Sequence, residues 1–229
     1  MRIVINSNFR FYEKSLPIIL PSIPENEHNV EVIIGGSPWE YKKEVKGNVN
    51  YHFVNYDNTV FTSLLCINDH PEIVEDKFFY FYTHDTTLFG SQFFNKIRAS
   101  LDSKIKKYSS KEEFEKNATN YKLTSDGASM DIGLYRSDFF LIKQRAIDLL
   151  PEKNLDLSEE SMKRHKELAY QIEDNCIRQT ESLQTEIRIT SIIPNPYGSN
   201  INRIQEYYSG LDFYKFKGNW HFLSRVIDL

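Results

Sequence analysis

Phe78-Phe79-Tyr80-Phe81-Tyr82-Thr83-His84-Asp85-Thr86-Thr87 sets one carboxylate, flanked by hydroxyls and an imidazole, at the end of five consecutive aromatic residues. An aromatic run without polar alternation reads as a strand covered on both faces, as in the middle of a mainly parallel sheet. Ligands of such sheets sit at the carboxyl ends of the strands, which is where His84 and Asp85 fall. Asp85 can therefore face a ligand, or it can accept backbone N–H bonds as a strand-end or helix-cap group. His84 can approach a phosphate or hydroxyl from the same end, or follow the strand's alternation into the interior.

Other polar groups follow apolar runs in the same way. Asn6, Ser7 and Arg10 come after Ile3-Val4-Ile5. Asn and Ser side chains can hydrogen-bond a polar ligand, and Arg10 can offset anionic charge. Ser7 or Asn8 can equally cap the helix that follows. Asp57-Asn58, after the apolar segment 49–54, offers the same pair of readings. Asp131 lies inside a strand-like segment. Glu173-Asp174 lies on an acid-rich helix, where neighbouring carboxylates point in different directions and at most one faces a pocket.

The elements that must position these groups alternate. Residues 3–5, 30–34, 49–54 and 78–82 read as strands. Helices are predicted from 12 towards 20, closed by Pro21 and Pro24, and then over 59–67, 91–107 and 111–117. Gly35-Gly36-Ser37-Pro38 is a turn signal. Beyond Gly127, a strand is predicted over 130–135, a helix over 137–150, a long amphipathic helix over 158–182 and a strand over 187–193. A turn-rich stretch from Pro194 to Asn200 carries Tyr197, whose ring either offers a flat face to a ligand or packs the turn. This order predicts an α/β fold with a mostly parallel central sheet flanked by helices, followed by a C-terminal extension of helix and strand.

Length and composition bound the function. A chain of 229 residues suits one domain, and 40% hydrophobic with 14% aromatic residues is a globular composition. A net charge of -4 gives no concentrated basic surface for nucleic acid. Cys66 and Cys176 lie far apart and at no metal-binding spacing, as expected of reduced thiols in a cytoplasmic protein. No stretch has the length of a membrane-spanning helix. P-loop, G-x-S-x-G, H-E-x-x-H and G-x-G-x-x-G motifs are absent.

The strand ending at Asp85, the first strand ending at Asn6-Ser7 and the entry Asp126-Gly127-Ala128-Ser129-Met130 together resemble a GT-A-type nucleotide-sugar glycosyltransferase. In that family a D-x-D motif holds a divalent metal against the diphosphate; Thr83-His84-Asp85 stands in its place with only the last carboxylate present. The resemblance implies a single GT-A-like domain over 1–229, with a nucleotide-binding half over about 1–90 and a sugar and acceptor half with extension over about 120–229. It implies Mn²⁺ or Mg²⁺ at Asp85, hard ions that prefer oxygen ligands, with Thr83 or Thr87 holding water. It implies that Asn6, Ser7, Arg10, Asp57, Asn58 and His84 meet the nucleotide, UDP being the expected form. It further implies Asp131 or Asp174 near the sugar and acceptor, and His221, beside Lys217 and Trp220, as a further metal ligand. The partners would be a nucleotide-sugar donor and a glycan or other hydroxyl acceptor. A binding module on the same fold without catalysis, or an interaction protein with no nucleotide site, would use the same elements.

Overall fold

Alternation along β-strands sorts side chains onto two sheet faces, and this chain uses both. The protein is seen in a computed structural model that describes residues 1–24, 29–58, 61–123, 132–137, 160, 164, 167, 180–182, 187–190 and 205–216. The first half runs β1 (Arg2–Asn8), α1 (Tyr12–Ile19), β2 (Asn29–Gly35), β3 (Tyr41–Lys46), β4 (Val49–Val54), α2 (Thr62–Asp69) and β5 (Phe79–His84). Then come β6 (Thr87–Phe89), α3 (Phe93–Ile105), α4 (Lys111–Asn117), β7 (Asn120–Lys122) and β8 (Gly133–Arg136). The described strands end with β9 (Thr180–Ser182), β10 (Ile187–Thr190), β11 (Gln205–Tyr208) and β12 (Phe213–Phe216).

An eight-stranded sheet has the order β3-β4-β2-β1-β5-β8-β7-β9. Its centre, β4-β2-β1-β5, is parallel throughout, and β7 and β9 are also parallel. The remaining pairs, β3 with β4, β5 with β8 and β7 with β8, are antiparallel. The fold is therefore α/β with a mostly parallel central sheet, as the order of elements predicts. After β1 the chain adds β2 and β4 on one side and then places β5 on the other side of β1. The direction of winding thus reverses between β1 and β5, and such a reversal opens a crevice outside the strands' carboxyl ends.

The aromatic run of β5 divides by parity. Phe79 and Phe81 join Ile3, Ile5, Leu16 and Ile19 in a core on the α1 side. Phe81 there meets Phe93 at 4.9 Å and Phe213 at 5.7 Å between ring centres. Tyr80 and Tyr82 join Val4, Ile33, Leu64, Leu65 and Tyr135 on the α2 side. Both faces are covered, which is why the run lacks polar alternation.

A second sheet, β10-β11-β12-β6, begins next to Asp85, because β6 follows the turn at 85–86 and pairs antiparallel with β12. Asp212, at φ 56°, locks this corner: its carboxylate accepts from Gln92 N at 2.9 Å and from Tyr207 Oη at 3.0 Å. The helix predicted over 158–182 needs correction at its end, where residues 180–182 form β9 beside β7. Residues 160, 164 and 167 are helical. The helix predicted over 137–150 and the loop around Tyr197 lie outside the described residues, apart from Ser137. No helix among the described residues is long and apolar enough to cross a membrane.

Candidate functional site

The polar groups predicted from sequence collect at the carboxyl ends of β1, β4 and β5, and strand parity separates them into two sets. On the α1 side, Asp85 continues the line of Phe81 and Thr83 just past the end of β5. Its Oδ2 accepts from Ser7 Oγ at 2.6 Å and from Ser15 Oγ at 2.7 Å. Its backbone N–H donates to Asn6 O at 3.1 Å, which extends the β1–β5 ladder by one bond. Ser7 and Ser15 are 5% and 1% exposed, whereas Asp85 is partly exposed. The carboxylate thus stands at the switch between β1 and β5, held from below by two buried hydroxyls.

On the α2 side, Asn6 and His84 are register partners. Asn6 Oδ1 accepts from Ser63 N at 3.0 Å and Ser63 Oγ at 2.6 Å, both from the first turn of α2. Those two donors fix the amide orientation and turn Nδ2 toward His84 Nδ1 at 3.4 Å. With the amide nitrogen presented as donor, Nδ1 is the acceptor of this contact. Nε2 is buried, and the ring packs edge-on to Tyr82 at 5.7 Å. His84 has followed the alternation of β5 inward.

Asn8 joins the end of β1 to the loop after β4, its Nδ2 donating to Asp57 Oδ2 and its Oδ1 accepting from Arg10 N at 2.9 Å. Asp57 is partly exposed, Arg10 is exposed, and Asn58 is fully buried with its N–H donating to Thr62 Oγ1 at 2.8 Å. Beside this polar rim stands an aromatic wall. Phe9 stacks on Tyr12 at 5.6 Å and meets Trp39 at 5.8 Å, and Lys42 Nζ lies 4.2 Å from the Trp39 ring centre.

Thr83 and Thr87 do not face the crevice. Both are buried, their hydroxyls 2.9 Å apart, and Thr87 Oγ1 donates to His84 O at 2.8 Å. They close the turn that carries Asp85, and the expectation that either holds a water there is corrected. Asp131, Asp174 and His221 lie outside the described residues. Among the described residues no group of three or more His, Cys, Asp or Glu is placed to hold a metal.

Sequence reasoning missed Ser15 and Ser63. Ser15 recurs one helical repeat after Phe11, and the apolar positions Leu16 and Ile19 already mark the inward side of α1. A small hydroxyl beside those positions was the available signal. Nothing in the spacing says that it meets a residue 70 positions away.

No family model matches the chain, and no curated protein matches it. Among solved structures it is similar to TarS 1–349 of S. aureus, with TM-score 0.43 and 12% identity over 81% of this chain and 59% of that one. It is also similar to the galactosyltransferase LgtC in complex with donor and acceptor sugar analogues, with TM-score 0.42 and 13% identity over 96% of this chain and 88% of that one. The chain thus spans 59% of the TarS structure that it matches.

Proposed function

We propose that this chain transfers a sugar from a nucleotide-diphosphate donor to a hydroxyl acceptor, with the donor seated over the β1–β5 switch point. The observation that carries the reading is Asp85: a partly exposed carboxylate fixed at that crevice, with Oδ1 free of hydrogen bonds among the described residues. A carboxylate repels a diphosphate unless a cation lies between them. Mg²⁺ and ions like it commonly use one or two carboxylates together with substrate phosphates, so a single Asp fits such a role. Asp85 would then hold Mn²⁺ or Mg²⁺, with His221 as a proposed further ligand, and the bound ion would offset charge on the departing diphosphate.

The chain's own groups have distinct proposed tasks. Asp57 and Asn58, with Asn8 behind them, would shape the nucleoside end, and the faces of Phe9 and Trp39 suit a flat base or a sugar ring. Arg10, on the exposed turn after β1, would add positive charge near the phosphates. Asn6, Ser7 and His84 would act beneath the nucleotide by holding the floor of the crevice. Asp131 or Asp174 would serve near the acceptor, where a general base must take the hydroxyl proton if the reaction inverts.

Asp85→Asn tests the reading. Calorimetry with UDP and GDP, with and without Mn²⁺, should show metal-enhanced binding to the native chain that the variant loses, together with loss of sugar transfer or donor hydrolysis. Full activity in the variant would sink the assignment. The buried, committed Thr83 at the place of the first D-x-D carboxylate favours a second reading, a nucleotide-sugar-binding module without catalysis. Metal-independent binding with no turnover would select that reading.

A further inference from the structure

Among the described residues, one oxygen of Asp85 is saturated and the other is open. Each carboxylate oxygen offers about two lone-pair positions, and Oδ2 already accepts from Ser7 Oγ at 2.6 Å and Ser15 Oγ at 2.7 Å. Both hydroxyls are buried, at 5% and 1% exposure, so water does not compete for them. They reach the carboxylate from different elements, β1 and α1, and the Asp85 N–H is tied to Asn6 O at 3.1 Å. Main chain and side chain are therefore both held, and the carboxylate cannot rotate without breaking charge-assisted bonds.

We infer that Ser7 and Ser15 are positioning residues that make Asp85 a one-oxygen ligand and so select a small octahedral cation over calcium. The inference rests on the reading that Asp85 faces a metal-bound diphosphate. Calcium accepts many oxygen ligands in flexible geometry and often takes a carboxylate through both oxygens, while Mg²⁺ demands near-ideal octahedral geometry. Two-oxygen chelation at Asp85 would need lone pairs on Oδ2 that the serines occupy. A bland alternative is that the two bonds only fasten α1 to the end of the sheet, in which case their loss would lower stability without changing which cation the site takes.

The experiment measures UDP and GDP binding in Mn²⁺ and in Ca²⁺ for the native chain, Ser7→Ala, Ser15→Ala, the double variant, Ser15→Thr and Asp85→Asn. Comparing variants cancels each metal's affinity for the free nucleotide. The Mn²⁺-over-Ca²⁺ preference should fall about fivefold when either serine becomes Ala, the equivalent of one hydrogen bond, and further in the double variant. Ser15→Thr keeps the hydroxyl and should keep the native preference; if Ser15→Ala does not fold, Ser7→Ala carries the same expectation. No metal-dependent binding in the native chain, or its survival in Asp85→Asn, would overturn the Asp85 reading and this inference with it. Metal dependence lost in Asp85→Asn but an unchanged preference in folded serine variants would overturn the serine assignment alone.

Discussion

At Gly35 a single added carbon would meet the start of α2. A Cβ there would lie 2.7 Å from Thr62 Cγ2 and 3.0 Å from the Tyr56 carbonyl oxygen. The threonine cannot swing away freely, because its Oγ1 accepts the Asn58 N–H at 2.8 Å, and the carbonyl is main chain. Gly35→Ala should therefore push α2 from the sheet and cost about 1–3 kcal/mol, the range for overpacking a dense site, read as a lowered urea midpoint. A midpoint within error of the native value would show that the contact relaxes freely. Gly36, at φ +71°, is a glycine for a different reason, backbone conformation rather than space. Sequence reading gives both glycines as one turn. It can show that a turn is needed, but the packing role of Gly35 depends on Thr62, which only the fold brings near. The same holds at the site: Asp85 is legible because it ends a conspicuous aromatic strand, while Ser15 is hidden because its partner is set by how α1 packs against the sheet beside β6.

At the scale of elements, the parallel centre of the sheet carries a buried polar group set that its apolar patterning does not announce. Glu31 on β2 is 1% exposed and pairs with Arg2 Nη1 on β1 at 3.1 Å and with His52 Nε2 on β4 at 2.8 Å. Asn50 Nδ2 donates to Glu31 Oε1 at 2.9 Å, and Tyr41 Oη on β3 meets His52 Nδ1 at 2.9 Å. Four strands are thereby cross-linked, mostly between offset rather than register-paired positions. Removing Glu31 takes a buried acceptor from Arg2, Asn50 and His52 at once, while Arg2 keeps Asp76 and the Ile73 carbonyl and His52 keeps Tyr41, so Glu31→Ala should destabilise by about 1–3 kcal/mol, measured by chemical unfolding. A loss below about 1 kcal/mol, the scale of an exposed pair, would mean that the network contributes no more than a surface ion pair does. Strands β1, β2, β4 and β5 and helices α1 to α3 are legible because their apolar spacing persists for a turn or several residues. Strands β6, β7 and β9 have three residues each, too few to show any period. Strand β3, Tyr-Lys-Lys-Glu-Val-Lys, is charged because it is an edge strand, and charge at an edge resists pairing with another chain.

For the molecule as a whole, the parity of β5 has an alkaline consequence. Its phenylalanines face α1, where nothing in the ring can ionise, and its tyrosines face α2. Burial raises the Tyr80 hydroxyl above its ordinary range, and Tyr56 rises through burial first and then through the neighbouring Cys66 and Asp69. Tyr41 is pushed up to about 12, again chiefly by burial. A phenol whose pKa is higher folded than unfolded binds more protons in the native state, so its contribution to stability is complete below the unfolded value near 10 and falls as pH rises above it. For Tyr41 the loss runs from about 10 to about 12, and for Tyr56 and Tyr80 it continues upward. Tyrosinate absorbance should accordingly rise in two steps, exposed tyrosines near their ordinary value and the α2-side set at higher pH, with the second step coinciding with loss of circular dichroism. The order follows from cause: the buried phenols of Tyr56 and Tyr80, 6% and 2% exposed, ionise only when the α2 face opens, whereas Tyr41 on the edge strand is 36% exposed and needs no such opening. A single step near pH 10, with the dichroism intact, would mean that the tyrosine face is open to solvent.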